Sequence, residues 1–307
     1  ADGAGANGAR PSPAAPAAPP VAAAPPAALN RRQSAAEREL ERALVKCPKV
    51  AELLGKNRGA RVSDKYSVGS TLGTGAFSVV RAVEHKESGD FRAAKFMALN
   101  KGRSLTAILL EAELVLRLRH DAIVGHLDVF VEPSHVVLIL EIMMGGSLQD
   151  TILEHGRVTE PHAKAIIRRV AGALQHMHEM RIVHCDLKLD NLLLSVPGDP
   201  TKVKLADFGL AKQLGASGVL DTMESSGTVG FMAPEIIQGE GVAPRMLRYT
   251  AQADMWSLGV MVYHLLGGEW SAPMRQMGQM GRIGFTETRW RGISEDAKDI
   301  VRRLVVL

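Results

Sequence analysis

Apolar and polar positions along this chain fall into three regimes. Residues 1–30, "ADGAGANGARPSPAAPAAPPVAAAPPAALN", have no period; Ala, Pro and Gly dominate, which predicts a disordered or polyproline-II-like arm. In "SAAERELERALVKCP", Ser34 and Glu37 form a capping-box pair and Leu40, Leu44 and Val45 form an apolar stripe. A helix ending before Pro48 is expected. From Tyr66 the period shortens. "YSVGSTLG", "SVVRAVEH" and "FRAAKFM" read as strands separated by Gly-containing turns, "SLTAILLEAELVLRLRH" as a helix, and "LDVFVEP" and "HVVLILEI" as strands again. After Ser147 helices dominate. The clearest is "TEPHAKAIIRRVAGALQHMHEM", with Thr159 as N-cap, Pro161 in the first turn, and Ile166, Ile167, Val170, Leu174 and Met177 on one face. Further helices are expected near 252–266 and 294–307. A sheet with one helix, followed by a mostly helical part, predicts two lobes with a crevice between them.

Composition narrows the class without changing this outline. The chain has 307 residues, 46% hydrophobic and 23% charged, enough for one large domain or two lobes. Cys47 and Cys185 are the only cysteines, too few for a disulfide framework, so a reducing compartment is expected: the cytoplasm, with the nucleus left open. The strongest apolar run, 136–144, is short and broken by Glu141, and the start lacks the layout of a signal peptide. It also lacks an initiator Met, so a missing N-terminus is expected. A net charge of +4, spread along the chain, is ordinary surface balance; neither nucleic acid nor membrane is expected as a partner.

Chemistry concentrates in a few stretches. In "LGTGAFSVV", Gly73 and Gly75 flank a turn between two strands, where missing side chains let backbone N–H groups approach phosphate oxygens. The turn does not lead into a helix, which argues against a dinucleotide-binding or Walker-type loop. Lys95 lies among strand apolars; taken alone, such a lysine faces solvent more often than a buried anion. On the following helix Glu111 shares the inward stripe of Ile108, Val115 and Leu118, so it needs a cation, and Lys95 is the nearest candidate. Glu113 points to nearly the opposite side and reads as a solvated charge. "IVHCDLKLDNLLL" places Asp186, Lys188, Asp190 and Asn191 in one short loop. The segments 192–194 and 203–205 read as a hairpin, with Asn191 before it and Asp207 after it, at the same end. An amide oxygen and a carboxylate together are hard ligands of the kind Mg²⁺ takes. Asp186 can accept a hydroxyl proton, and Lys188 adds positive charge for a transferring group.

These motifs, in this order, resemble those of eukaryotic protein kinases from about Tyr66 to the last residue. "GTGAFSVV" is similar to the phosphate-covering loop, with Ser78 in place of the third glycine. "AAK", "HCDLKLDN", "DFG", "APE" (233–235) and "DMWSLG" are similar to the later motifs. "DLK" and "GTVGFMAPE" resemble the serine/threonine type; "GGSLQD" and "ISEDAKDIVRRL" resemble the calcium/calmodulin-dependent group. The resemblance implies an α+β, bilobal fold: a small antiparallel-sheet N-lobe with one key helix and a mostly helical C-lobe. Composition and pattern give an arm (1–33) and a helical extension (34–60), and the resemblance implies a kinase domain (61–307, divided at 143/144). The implied activity is ATP- and Mg²⁺-dependent phosphoryl transfer to Ser or Thr of protein substrates; the alternative is a nucleotide-binding scaffold without turnover. The implied roles are Asp186 as base, Lys188 beside the γ-phosphate, Lys95 on the α/β-phosphates paired with Glu111, and Asn191 and Asp207 on metal. Leu72, Gly73, Gly75, Ser78, Val80, Ala93, Glu141, Met143 and Leu193 would line the nucleotide, with Leu140 as gatekeeper. Thr228 would support Asp186 and Lys188, and Asp254 would anchor the catalytic loop.

Several positions depart from the family pattern. Cys185 replaces an arginine that grips an activation-loop phosphate in many relatives, so activity is expected not to depend on phosphorylation by that route, although Thr222, Ser225 and Ser226 are available. Cys185 itself reads as a small apolar filler rather than a reactive thiol. Ser147 stands where basophilic relatives often carry an acid, while Asp190 keeps one contact for a substrate arginine, so a preference for basic residues is expected in weakened form. The stretch 267–290 is short for a substrate-docking helix. The chain stops at Leu307, before the arginine that usually pairs with the acid at Glu235, which suggests a truncated C-lobe; no calmodulin-binding or autoinhibitory tail is readable.

Overall fold

The computed structural model describes residues 26–75, 78–99, 103–222, 225–237, 246–267, 283–285 and 288–306. The proline-rich arm before residue 26, the loop tip 76–77 and nearly all of the proposed docking stretch (268–282) lie outside the described residues. The chain divides into two compact units, residues 1–39 and 40–307.

Helix α1 runs Pro26–Leu44, so Ser34 lies inside it and is not its N-cap, against the capping-box expectation. The apolar stripe also shifts. Val45, just past the helix, is 84% exposed, whereas Ala43 is buried, with Leu40 and Leu44 partly buried beside it. A second helix, α2 (Pro48–Gly55), follows at once, started by the proline that ended the first. After the one-turn α3 (Val62–Lys65) come β1 (Tyr66–Thr74), β2 (Ser78–His85), β3 (Phe91–Ala98), helix α4 (Leu105–Arg117), β4 (His126–Val131) and β5 (His135–Glu141). These strands form one antiparallel sheet in the order β1-β2-β3-β5-β4. β3 is its centre, and Lys95 sits there between Val80 and Leu138. Period-two alternation sends Ala94 to one face, with Phe130, Val137 and Ile139. The other face packs Met97, Val136 and Leu138 under Ile108, Leu109 and Ala112 of α4.

The remaining elements are α5 (Leu148–His155), α6 (Glu160–Glu179), β6 (Ile182–Val183), a 3₁₀ turn (Leu189–Asn191), β7 (Leu192–Leu194), β8 (Val203–Leu205), β9 (Lys212–Gln213), β10 (Leu220–Thr222), α7 (Pro234–Ile237), β11 (Leu247–Tyr249), α8 (Gln252–Gly267), a second 3₁₀ turn (Thr288–Trp290) and α9 (Glu295–Leu304). Thr159 stands at the N-cap position of α6 but makes no side-chain cap bond. Ile166, Val170, Leu174 and Met177 of α6 meet α8, which is buried nearly all round, as its unbroken apolar run requires. The two-stranded β7–β8 ribbon pairs Leu192 with Leu205 and Leu194 with Val203, and Arg169 of α6 donates to Val203 O at 3.1 Å. That ribbon rests on the helical core, so whatever leaves its ends is held on a fixed base. Among the described residues, no helix is long and apolar enough to cross a membrane.

Candidate active site

The loop between β6 and the 3₁₀ turn is fixed from below. Asp254, on α8, is wholly buried, and its carboxylate accepts from His184 N (2.9 Å), Cys185 N (3.0 Å) and His178 Nε2 (2.8 Å). Buried amides need such partners, and here they also hold Cys185 at φ 65°, a left-handed conformation that non-glycine residues rarely adopt. The Cys185 side chain is buried, and burial together with the charge of Asp254 pushes its thiol up. That suppresses thiolate, in keeping with the filler reading.

Asp186 is buried and fully engaged. Thr228 Oγ1 donates to its Oδ1 at 2.7 Å, Lys188 Nζ lies 2.9 Å from its Oδ2, and Lys188 Nζ also donates to Thr228 Oγ1 at 2.8 Å. Asn191 Nδ2 donates to Asp186 O (2.7 Å) and Oδ2 (3.1 Å). With its NH₂ group used there, Asn191 presents its carbonyl oxygen as the free end.

β8 leads from the ribbon into Asp207, at φ 53°. Its side chain is 59% exposed, and Lys95 Nζ reaches its Oδ1 at 2.9 Å. Desolvation acts to raise its pKa, but the Lys95 charge and hydrogen bond and the Gly209 amide outweigh it, holding the carboxyl below its ordinary range. Lys95 is also 3.9 Å from Glu111 Oε1, while the other oxygen of Glu111 takes the Arg103 guanidinium. A Cβ at Gly209 would stand 3.4 Å from Asp207 Oδ1 and 3.7 Å from both Glu111 Oε1 and Lys95 Nζ, so the glycine keeps this charged meeting point open. The next side chain, Phe208, is buried between the rings of His184 (5.2 Å) and His126 (6.2 Å).

At the end of β5 the Glu141 carboxylate accepts from Lys204 Nζ (2.7 and 2.8 Å) and Gly125 N (2.6 Å), and its own N–H donates to Gly125 O. Among the described residues the backbone N–H and C=O of Met143 make no backbone hydrogen bond. Ala93 is buried on β3, Val80 pairs across from Lys95, Leu72 is exposed on β1, and Leu193 bridges to Ser147. Gly75 N donates to Ser78 O, closing the turn that Gly73 enters. Ser147 caps α5, its Oγ accepting from Asp150 N at 3.1 Å.

Two groups of interactions escaped the sequence reading. Arg103 on Glu111 and Lys204 on Glu141 join residues with no shared helical or strand period. His126 is a strand residue whose apolar surroundings show only in three dimensions. Its pKa falls to about 3, through burial and then the Lys95 charge, and its Nδ1 is buried without a partner. One expectation is overturned: Glu113 is not a solvated charge but is 6% exposed, and it accepts from the backbone of α2.

The chemistry of the donor set bears on a metal. Among the described residues no group of three or more His, Cys, Asp or Glu side chains is arranged to hold one. Asn191 and Asp207 offer two hard oxygens, the small share of a shell that Mg²⁺ takes from protein when phosphates and water complete it.

Known proteins agree with this geometry. The model of the protein kinase domain matches residues 66–307. A probable myosin light chain kinase of Dictyostelium discoideum is 34% identical over 255 residues, covering 80% of this chain and 70% of that protein. Calcium/calmodulin-dependent protein kinase type 1 of Macrobrachium nipponense is 37% identical over 252 residues, with 80% and 70% covered. The solved twitchin kinase region of C. elegans superposes with a TM-score of 0.68 at 32% identity; the match covers 80% of this chain and 44% of that one. A five-stranded antiparallel lobe above a helical one, with these groups at their meeting point, is the kinase architecture, and the chain belongs to the protein kinase family as a serine/threonine kinase similar to the calcium/calmodulin-dependent group.

Proposed function

We propose that this chain moves the γ-phosphoryl group of ATP to a Ser or Thr hydroxyl of a protein, with the residues above in assigned roles. The observation that carries the reading is the closed hydrogen-bonded set of Asp186, Thr228, Lys188 and Asn191, within a fold that brings Lys95 onto Asp207. Phosphoryl transfer needs positioning and charge neutralisation more than covalent chemistry. Asp186, held by Thr228 and Asn191, accepts the proton of the attacking hydroxyl. Lys188, tethered to the same threonine, sets its charge beside the group in transit. Lys95 lies between two carboxylates and carries a third proton for phosphate oxygens. Asn191 Oδ1 and Asp207 would hold Mg²⁺. When bound, the ion neutralises phosphate charge. The glycine turn (Leu72, Gly73, Gly75, Ser78), Val80, Ala93, Leu193 and the backbone of Glu141 and Met143 hold the nucleotide.

Protein substrates are the partner this reading requires, with Asp190 as the exposed acid available to a basic residue. Calcium/calmodulin regulation comes forward from the names of relatives, and capture on calmodulin resin with and without Ca²⁺ tests it. Two buried free thiols suit a reducing compartment, the cytoplasm or nucleus, which cell fractionation tests. The deciding experiment is transfer of labelled phosphate from ATP and Mg²⁺ to a basic protein. Transfer by the parent and none by Asp186→Asn supports the reading; nucleotide binding without transfer by the parent favours a scaffold.

A further inference from the structure

A carboxylate buried in an apolar cluster must be satisfied, and the way Glu113 is satisfied ties two parts of the molecule together. Helix α2 begins without a side-chain cap: its N-cap residue, Cys47, makes no such bond. Its second and third residues nonetheless find an acceptor. Lys49 N and Val50 N donate to Glu113 Oε2 at 2.8 and 3.0 Å, across more than sixty residues of sequence. A helix N-terminus carries unpaired N–H groups and partial positive charge, so this acid suits it better than water would. Around the contact, Cys47 and Val50 are fully buried with Leu109, Ala112 and Leu116 of α4. Burial, and then the nearby charge of Glu113, push the Cys47 thiol up. α2 packs on both α4 and β4.

Two residues away on the same helix, and on nearly its opposite side, Glu111 faces Lys95. Their 3.9 Å separation is an ion pair too long for a hydrogen bond, and Arg103 and Asp207 compete for its two ends. Bringing this pair within hydrogen-bond reach takes a shift of roughly 0.7 Å, so the position of α4 bears on how far it closes. We propose that residues 47–55 form a built-in clamp on α4, and that Glu113 is the positioning residue through which the clamp sets the Lys95–Glu111 pair. The inference rests on the kinase reading in treating that pair as part of the phosphate-holding machinery.

The test uses the full chain and two variants, Glu113→Ala, which removes the acceptor, and Glu113→Gln, which keeps one acceptor oxygen and also serves if the alanine variant folds poorly. Amide hydrogen exchange is read first, because it needs no activity. The clamp predicts exchange about tenfold faster across α4 in Glu113→Ala, a smaller rise in Glu113→Gln, and no change in α8. Unchanged α4 protection in both variants overturns it, as does an equal rise in α8, the mark of global destabilisation. Turnover is then read in a double-mutant cycle with Glu111→Gln. Glu113→Ala should lower kcat about tenfold in the parent and less than twofold when Glu111 is already gone, with Glu113→Gln recovering most of the loss. Equal losses in both backgrounds overturn the proposed route. If the parent transfers no phosphate, the kinase reading fails, while the exchange measurement still decides whether the clamp exists.

Discussion

The two halves of the site are built to different standards. The C-lobe half is anchored in a packed core: Asp254 is wholly buried with three donors on it, and Asp186 has partners on both oxygens. The N-lobe half is a cluster of long side chains. Lys95 divides its charge between Glu111 and a largely exposed Asp207, and Arg103 draws on the same glutamate. Buried, fully partnered groups have one arrangement, whereas Lys95 and Glu111, though mostly buried, are drawn toward competing partners, one of them the largely exposed Asp207. The difference teaches where adjustment would be built in: in the proposed roles the proton acceptor, Asp186, is held by fixed partners, and the phosphate-side cation, Lys95, is held by a glutamate on α4.

Removing one C-lobe group should act on chemistry without softening the lobe. Asp186→Asn should cut kcat by about 10²–10⁴-fold while nucleotide affinity, read by thermal shift, stays close to the parent's. Turnover equal to the parent's would remove Asp186 from its role. Removing the anchor beneath should act on the fold instead. Asp254→Ala orphans two buried amides and a partly buried imidazole, so a loss of about 3–5 kcal/mol in denaturant unfolding is expected. A loss under about 1 kcal/mol would mean the C-lobe half is no stiffer than the other.

The N-lobe half should behave in reverse. Lys95→Met should lower kcat about ten- to a hundredfold with little change in melting temperature, since its nearest partner is mostly solvent-exposed. A melting drop as large as that of Asp254→Ala would erase the contrast. His126 gives the comparison a pH axis. Its pKa is about 3 folded and 6.5 unfolded, so below pH 6.5 the unfolded chain takes up a proton that the folded chain refuses. Stability is therefore present above pH 6.5 and is lost as pH falls toward 3, by about 2 kcal/mol at pH 5 from this group. His126→Leu should flatten the decline between pH 7 and pH 5 by that amount; an unchanged slope would show that other groups carry it. The smallest effect is expected at the α5 cap. Ser147→Ala should cost about 1 kcal/mol in stability and leave turnover unaltered.

Much of this was legible in the chain, and the reasons are local. Strand and helix periods report which face of an element is apolar, and β2 and α6 follow their periods closely. The catalytic-loop groups lie within six residues of one another, so their meeting needs only one turn of backbone. Elsewhere the local rules failed for identifiable reasons. Val45 looked like the last residue of a stripe, but α1 ends at Leu44 and the chain turns it outward. Ser34 and Glu37 matched a capping box, yet the helix had already begun at Pro26. Lys95 taken alone belonged in solvent; it turns inward because carboxylates from α4 and from the end of β8 wait there.

The sequence by itself determined the order of the five-strand sheet and the longer helices, the spacing of the chemical groups and the acid that faces Lys95, because each depends on backbone period and short-range geometry. Only the tertiary structure decided what lies on the far side of α4. Glu113 lies opposite the stripe of Ile108, Val115 and Leu118 and so read as a solvated charge, although Leu109 and Leu116, at i−4 and i+3, share its side. The fold lays α2 over it and offers two unpaired amides, so a charge that water would otherwise solvate becomes a buried link. A pattern along one segment cannot register the covering of its surface by another, since that cover comes from residues more than sixty positions away.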